Sequence, residues 1–384
     1  MRIAIFENIM TPGGHEVDFD RILSEELTAL GHDVVFYVPE NFTFAFDYQK
    51  PVVRLPKAAV TYTKVRGLSR LVATVRREWH RQAWYKALFR HVKAGDFDAL
   101  IVPTSTYRYL RALKKSPLRH SPVPVIFILH GINPGEAPKF LRAADALADF
   151  PKIRPTVLTF GDTIFGERRG NIRCIYPPTF VPRDIPEGER AALGAREDGA
   201  PLRIGFFGQY RREKHLENFL DAYFAGHYTR PVELFVQGAT MHPEDAEDFE
   251  RIIAKYQDRT GIRFLHKGLI GAEWQRAILG IDALLLPYSA PRYRYHWGGM
   301  LFTAIGFQRP VVTSDDMNPE VFEAYHIGET FPSGDLAALQ GALESFINHY
   351  DERRAMYESE LAKAAVMYAP SAFAERIAAI LDEA

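Results

Sequence analysis

A single cysteine, Cys174, stands in 384 residues. No disulfide can close within such a chain, and a reducing, cytoplasmic compartment is the expectation. No apolar run approaches the ~20 residues of a membrane-spanning helix. The opening residues MRIAIFENIM carry Glu7 and run into a glycine turn, so they read as a first strand and not as a signal peptide. No two histidines stand at ligand spacing, and with one cysteine a zinc site is not expected. Internal repeats and low-complexity stretches are lacking as well. The net charge is only −1, and no aromatic-basic reading motif accompanies the basic residues, so nucleic acid is not an expected partner.

What is present is ordinary for a globular protein: 47% hydrophobic and 25% charged residues. The length exceeds one α/β core and suits two. Charge is divided unevenly. Residues 1–176 hold 26 Lys and Arg against 17 Asp and Glu, whereas residues 177–384 hold 21 against 31. A basic half and an acidic half either attract each other or meet different surroundings.

The stretch Leu284 to Glu320 carries the strongest local pattern. An apolar run, Ala283 to Leu286, ends at Pro287 as a buried parallel strand ends at a loop. An Arg/Tyr-rich loop leads to His296-Trp297-Gly298-Gly299, then to a helical run from Met300 to Phe307 and a short strand from Pro310 to Thr313. Glycines at a helix N-terminus expose amides where the helix end is partly positive, which suits a phosphate.

The chain opens in the same way. Arg2 to Phe6 reads as a strand and Met10 to Gly14 as a turn. Phe19, Ile22, Leu23, Leu27 and Leu30 line one helix face, Gly31 stops the helix, and Asp33 to Pro39 is a second strand. That is the crossover unit of a doubly wound sheet. Asn41 to Lys57 reads as irregular. Residues 66–93 read as a basic helix in which Arg66, Arg70, Arg76, Arg77, Arg81, Lys86, Arg90 and Lys93 surround Leu68, Leu71, Val72, Val75, Trp79 and Leu88. Residues 181–201, rich in Pro, Gly and charge, read as a linker between domains 1–180 and 202–369.

These residues carry a resemblance. Thr11-Pro12-Gly13-Gly14 with the helix to Leu30-Gly31-His32-Asp33-Val34, then Ile204-Gly205-Phe206-Phe207-Gly208 with Glu213-Lys214, then Asp282 to Pro287, Gly298, Ala304, Pro310-Val311-Val312 and Pro319-Glu320-Val321 follow in order along nearly the whole chain. In that order they resemble the family 4 glycosyltransferases, retaining enzymes of GT-B fold that use an activated sugar donor.

The resemblance implies an α/β chain with two doubly wound, Rossmann-like domains facing across a cleft. It implies the acceptor on the first domain, a nucleotide sugar on the second, and a final helix, 370–384, crossing back to the first. It also implies transfer of a sugar to a glycan or glycolipid, with no metal or other cofactor. Lys214, with Arg212 beside it, would meet charge on the departing diphosphate, and His130 after its strand would lie near the transferred sugar. Gly13, Gly14, Gly208, Gln209, Gly298, Gly299, Met300 and Glu320 complete the donor side.

The family's two spaced glutamates, one for the donor sugar and one for the ribose, fall here on Tyr295 and Thr303, and its arginine after the first glycine falls on Gln209. Those departures keep two other readings open. One is a GT-B protein that binds a glycan or supports a partner without turnover; the other is an enzyme using a lipid-linked donor. The basic helix at 66–93 resembles the segment by which some such enzymes rest on anionic membrane, and equally reads as a surface helix packed on its sheet.

Overall fold

The computed structural model describes residues 1–10, 15–59, 68–160, 163–166, 169–197 and 199–383. The chain forms two compact units. The first holds Met1–Pro177, Tyr295–Trp297 and Pro370–Ala384; the second holds Pro178–Arg294 and Gly298–Ala369.

In the first unit the order is β1 (Arg2–Phe6), α1 (His15–Ala29), β2 (Asp33–Pro39), β3 (Val52–Leu55), α2 (Leu68–Ala94), β4 (Ala99–Val102), α3 (Tyr107–Leu113), β5 (Val125–Leu129), α4 (Ala137–Asp145), β6 (Ile153–Leu158) and β7 (Arg173–Ile175). The strands form one parallel sheet in the order β3-β2-β1-β4-β5-β6-β7. β1, β4 and β5 are apolar almost throughout because both of their faces are covered. The chain steps outward from β1 to β2 and β3, then restarts on the other side at β4. The switch point of this sheet therefore lies at the carboxyl ends of β1 and β4.

The second unit runs α5 (Glu187–Gly194), β8 (Leu202–Phe206), α6 (Leu216–Ala225), β9 (Val232–Gln237), α7 (Pro243–Tyr256), β10 (Ile262–Leu265), α8 (Gly271–Leu279), β11 (Ala283–Leu286), α9 (Gly299–Gly306), β12 (Val311–Ser314), α10 (Pro319–Ala324), β13 (Gly328–Phe331), α11 (Leu336–Asn348) and α12 (Tyr350–Met367). Its six strands are again all parallel, in the order β10-β9-β8-β11-β12-β13. The switch point here lies at the ends of β8 and β11. The last helix, α13 (Pro370–Asp382), belongs to the first unit. There Phe373 packs on Phe19 of α1, and Arg154 donates to the carbonyls of Ile380 and Glu383.

Two readings of the sequence differ from the structure. Residues 52–55 are a strand and not an irregular stretch. Pro51 and Pro56 bracket only four residues, and this edge strand buries only Leu55 fully, which leaves little apolar pattern to read. Residues 181–201 contain helix α5 and are grouped with the second unit, where Arg203 donates to the carbonyls of Leu193 and Ala195. By length and hydropathy Tyr350–Asp382 passes for one membrane-crossing stretch. It is two helices, broken around Tyr368–Ala369, and each buries Tyr, Leu or Ile side chains within its own unit.

Helix α2 is divided along its length. Trp84, Tyr85 and Leu88 sit in the core of the first unit. One to three turns earlier, Leu71, Val72, Val75 and Trp79 are each more than half exposed. Arg66 lies outside the described residues.

Candidate functional site

In the second unit, β8 ends at Phe206, and Gly208 turns the chain with φ +104°, a conformation that glycine adopts without strain. Its N–H donates to Gln237 Oε1 (2.9 Å) and its carbonyl accepts from Ala239 (3.1 Å), which ties the turn to the end of β9. A Cβ at Gly208 would lie 3.5 Å from Met300 Sδ and 3.8 Å from Lys214 Nζ. The glycine after β8, the first turn of α9 and the lysine thus meet at one spot, the switch point.

Lys214 closes a 3-10 turn, Arg212–Lys214, that precedes α6. It is only 7% exposed. Its Nζ donates to the Tyr288 hydroxyl (3.1 Å), and Tyr288, two residues past β11, donates in turn to the Phe207 carbonyl (3.4 Å). The ammonium also lies 4.4 Å from the Tyr288 ring centre. No carboxylate forms an ion pair with it among the described residues. Burial brings its pKa down to about 7, with help from the charges of Arg211 and Arg292 and against Glu213. Glu213 pairs with Arg292 and lies 3.6 Å from Arg211. The cluster is therefore cationic, with three basic groups around one acid.

The other residues that the resemblance places on a donor side distribute unevenly. Arg212 turns to α7, where it donates to the Glu244 carbonyl (2.6 Å) and lies 3.8 Å from Asp248, so Arg211 and Arg292 are the arginines that neighbour Lys214 electrostatically. Gln209 pairs as a bridge with Ala239 and accepts from Arg211 (3.3 Å). Gly298 caps α9, but its N–H is taken by Asn318 Oδ1 (3.0 Å). The first-turn amides of Gly299 and Met300 have no acceptor within the helix. Thr303 is buried and spends its hydroxyl on the Gly299 carbonyl (2.9 Å). Glu320 stands in the first turn of α10, and its Oε2 is buried without a hydrogen-bond partner. Gly13 and Gly14 lie outside the described residues.

His130 and Tyr295 belong to the first unit. His130 follows β5. Its Nε2 sits 2.9 Å from the Pro103 carbonyl, which fixes a proton on that nitrogen, and Phe19 and Trp297 pack edge-on against the ring. Its own carbonyl accepts from Trp297 N–H (2.7 Å). Tyr295 gives its carbonyl to Ile132 N–H (3.0 Å), and His296 forms an antiparallel bridge with Gly131. Residues 295–297 thus lie against 130–132 through one antiparallel bridge and the backbone bonds on either side of it, with the Trp297 ring packed on Phe19 and His130.

Tyr288 escaped sequence reasoning, and its only signal is a polar aromatic just beyond a buried strand and a proline. Glu7 also escaped. It is buried at the end of β1, accepts N–H bonds from Asn8 and Ile9 (2.5 Å each), and is matched by a buried Asp20 on α1.

Two doubly wound parallel sheets in one chain, matched end to end by solved structures of this architecture, define the GT-B fold. No family model matches the sequence, and no curated protein sequence matches it. Among solved structures, the chain is similar to Anabaena Alr3699/HepE in complex with UDP and glucose (16% identity, TM-score 0.69, all of both chains). It is likewise similar to sucrose-phosphate synthase from Thermosynechococcus elongatus (17%, 0.68, 99% of this chain and 98% of that one). A third is WaaG, a glycosyltransferase involved in lipopolysaccharide biosynthesis (15%, 0.65, all of both chains). Likeness at such identities carries the fold, while function rests on the site.

Proposed function

We propose that the chain is a retaining glycosyltransferase that moves a hexosyl group from a nucleotide sugar to a glycan or glycolipid acceptor in polysaccharide or glycoconjugate assembly. The observation that carries the reading is the buried Lys214 ammonium, set beside Gly208 and Met300 at the switch point of the second sheet with no carboxylate paired to it among the described residues. A buried cation without a counter-charge is costly unless an anion completes it. A diphosphate does so, and HepE, of the same fold, is crystallised with UDP and with UDP-glucose.

In the proposed step the bond between the anomeric carbon and the donor phosphate oxygen breaks, and its electron pair goes to the diphosphate. The acceptor hydroxyl oxygen bonds the anomeric carbon on the same face, and the hydroxyl proton passes to the departing diphosphate. Lys214, the α9 amides and Arg292 meet the charge that develops there, so the proposal includes no metal. Glu320, with its open carboxylate oxygen, accepts a donor hydroxyl. The exposed apolar stripe of α2, flanked by Arg76 and Arg77, rests on the cytoplasmic face of an anionic membrane.

The test is a thermal-shift screen of nucleotides and nucleotide sugars, followed by transfer assays with wild type and Lys214→Ala. A nucleotide that raises Tm in wild type but not in the variant supports the reading. No shift with any nucleotide sinks it. A second reading, a GT-B protein that binds glycan without turnover or takes a lipid-linked donor, is favoured by Thr303. Its hydroxyl is spent inside α9, where an acidic side chain would hold a ribose.

A further inference from the structure

The second sheet has a recess at its other edge. Asp282 and Pro310, which line it, immediately precede β11 and β12, whereas Gly208 and Tyr288 follow β8 and β11. The recess has about 30 Å³ of room. One water needs roughly 10–15 Å³ on this measure, so the space suits two waters or one small tetrahedral anion. Arg196, Arg309 and Arg354 line it, together with Tyr350, Asp282 and Glu358.

The charges there do not balance. Asp282 is held by Arg203 (2.8 Å), Glu358 by Arg354 (2.7 Å), and Asp351 is shared between Arg196 (2.6 Å) and Arg230 (2.9 Å). Three guanidinium groups, those of Arg196, Arg309 and Arg354, thus line the recess with two carboxylates, and both carboxylates already have an arginine partner. Arg309 forms no ion pair with any carboxylate among the described residues. It donates instead to the carbonyls of Ile278 (3.4 Å) and Leu279 (2.9 Å) at the end of α8. Nη1 of Arg196 is buried and has no partner. Buried donors left unpaired are rare and costly, and an arginine cluster with surplus charge is the chemistry that holds phosphate. Burial lowers the Arg309 pKa; Tyr350 and Asp282 oppose the shift, and Arg203 and Arg354 add to it.

We propose that this recess binds a small oxyanion, either free phosphate or the terminal phosphoryl group of a small metabolite, at a second site distinct from the Gly208–Lys214 cluster. The recess touches the cluster through one element. Arg309 N–H bonds back to the Ala304 carbonyl (2.8 Å) in α9, and the opposite end of that 8-residue helix carries Gly299 and Met300. The helix is about 12 Å long at 1.5 Å per residue. An anion gripping Arg309 therefore fixes the far end of the helix whose first turn faces the proposed donor.

The experiment titrates inorganic phosphate, glycerol phosphate and, at matched ionic strength, chloride against the full chain, and reads Tm. Wild type should show a saturable rise on the order of a few degrees with phosphate and none with chloride. Arg196→Gln and Arg354→Gln should each weaken the apparent affinity about tenfold, while Lys214→Ala leaves it unchanged. Arg309→Gln should abolish the response. If that variant does not fold, the first two decide. Stronger binding of glycerol phosphate identifies a phosphoryl metabolite as the natural source, and stronger binding of phosphate identifies the free ion. Equal response to chloride overturns the inference. So does a phosphate response lost in Lys214→Ala but kept in Arg196→Gln, which would place the anion at the proposed donor cluster. Failure of UDP to bind leaves the phosphate result standing, so the two readings fail separately.

Discussion

Lys214 Nζ lies 3.1 Å from the Tyr288 hydroxyl and forms no ion pair with a carboxylate among the described residues. An ammonium in that position adds little to the fold and much to an incoming anion. Lys214→Met should therefore fold with unchanged or slightly higher stability, because replacing a buried charge by an apolar chain of similar length removes its desolvation cost. The same variant should lose UDP affinity about tenfold to a hundredfold, the worth of one charge-assisted hydrogen bond. Calorimetry and urea unfolding on the same preparation separate the two effects. A variant that unfolds easily yet binds UDP as well as wild type would remove Lys214 from the site.

The pH dependence of that binding has a definite sign. With the site empty the Lys214 pKa is about 7, below the ordinary 10.5. A bound diphosphate favours the ammonium and raises it. Between these values binding takes up a proton, so UDP affinity should fall as pH rises from about 7 toward 10.5. At pH 8 the heat of binding should vary with the ionisation enthalpy of the buffer, in the sense of proton uptake. Proton release, or none, contradicts an unpaired lysine at the phosphate.

Glu7 and Asp20 give the fold its own pH dependence. They are 2% and 3% exposed, Glu7 Oε2 and Asp20 Oδ1 have no hydrogen-bond partner, and no cation is paired with either carboxyl among the described residues. Burial raises Glu7 from 4.5 to about 8, despite the N–H bonds from Ile9 and Asn8, and raises Asp20 well above 3.8 through burial, Glu7 and Glu16. Between pH 4.5 and about 8 the unfolded chain has released the Glu7 proton and the native chain has kept it. Native protein binds more protons, so stability falls as pH rises across that window. Lys214 acts in the other direction and higher up, because its depressed pKa costs stability as pH falls from 10.5 toward 7. Glu7→Gln should flatten the decline between pH 5 and 7, where the lysine is silent, by an amount on the order of a few kcal/mol. Urea midpoints at pH 5, 6 and 7 check this; equal slopes in wild type and variant refute it.

Much of this was legible because it is written in local pattern. The strand-turn-helix-strand order around Gly208 and around Gly298 follows from apolar runs ended by glycine, and the doubly wound sheets follow from that order. The site was legible only in part. Lys214 stands beside a recognisable glycine strand, but Tyr288 meets it from 74 residues away, a pairing that no local spacing encodes. Gly298 was read as a phosphate cradle, yet Asn318 takes its amide, because only the folded chain brings the start of α10 to the start of α9. Trp297 follows an Arg/Tyr-rich stretch that reads as a loop, but it is buried against Phe19 and His130. In each case a long-range partner claims a group whose local sequence leaves it open.

Gly131 makes one such long-range contact testable. Its φ is +142°, and a Cβ there would lie 2.4 Å from both His296 Cα and the Tyr295 carbonyl oxygen. Gly131→Ala strains the backbone and pushes residues 295–297 off 130–132, at a cost of about 1–3 kcal/mol or more. Trp297 is packed on Phe19, so its fluorescence should shift toward that of an exposed indole. A fully stable variant with unchanged emission would mean that the bridge does not hold this segment.

The exposed half of α2 supplies the last prediction. Leu71, Val75 and Trp79 recur at helical spacing on one side, Val72 stands beside them, and the Lys57 ammonium lies 4.3 Å from the Trp79 ring centre. Single exposed apolar residues need no explanation, but four together with cations alongside match an interface helix. Vesicles containing phosphatidylserine should bind the protein, and neutral vesicles should bind it weakly. Salt should weaken the binding, since each basic residue near an anionic surface contributes about 1 kcal/mol that screening removes. Trp79→Ser should reduce vesicle binding several-fold without lowering Tm, because that ring is exposed and the core contacts of α2 run through Trp84, Tyr85 and Leu88. If Trp79→Ser sediments with anionic vesicles as wild type does, the stripe is not the membrane contact. If it also loses several degrees of Tm, the exposed half of α2 serves the fold instead.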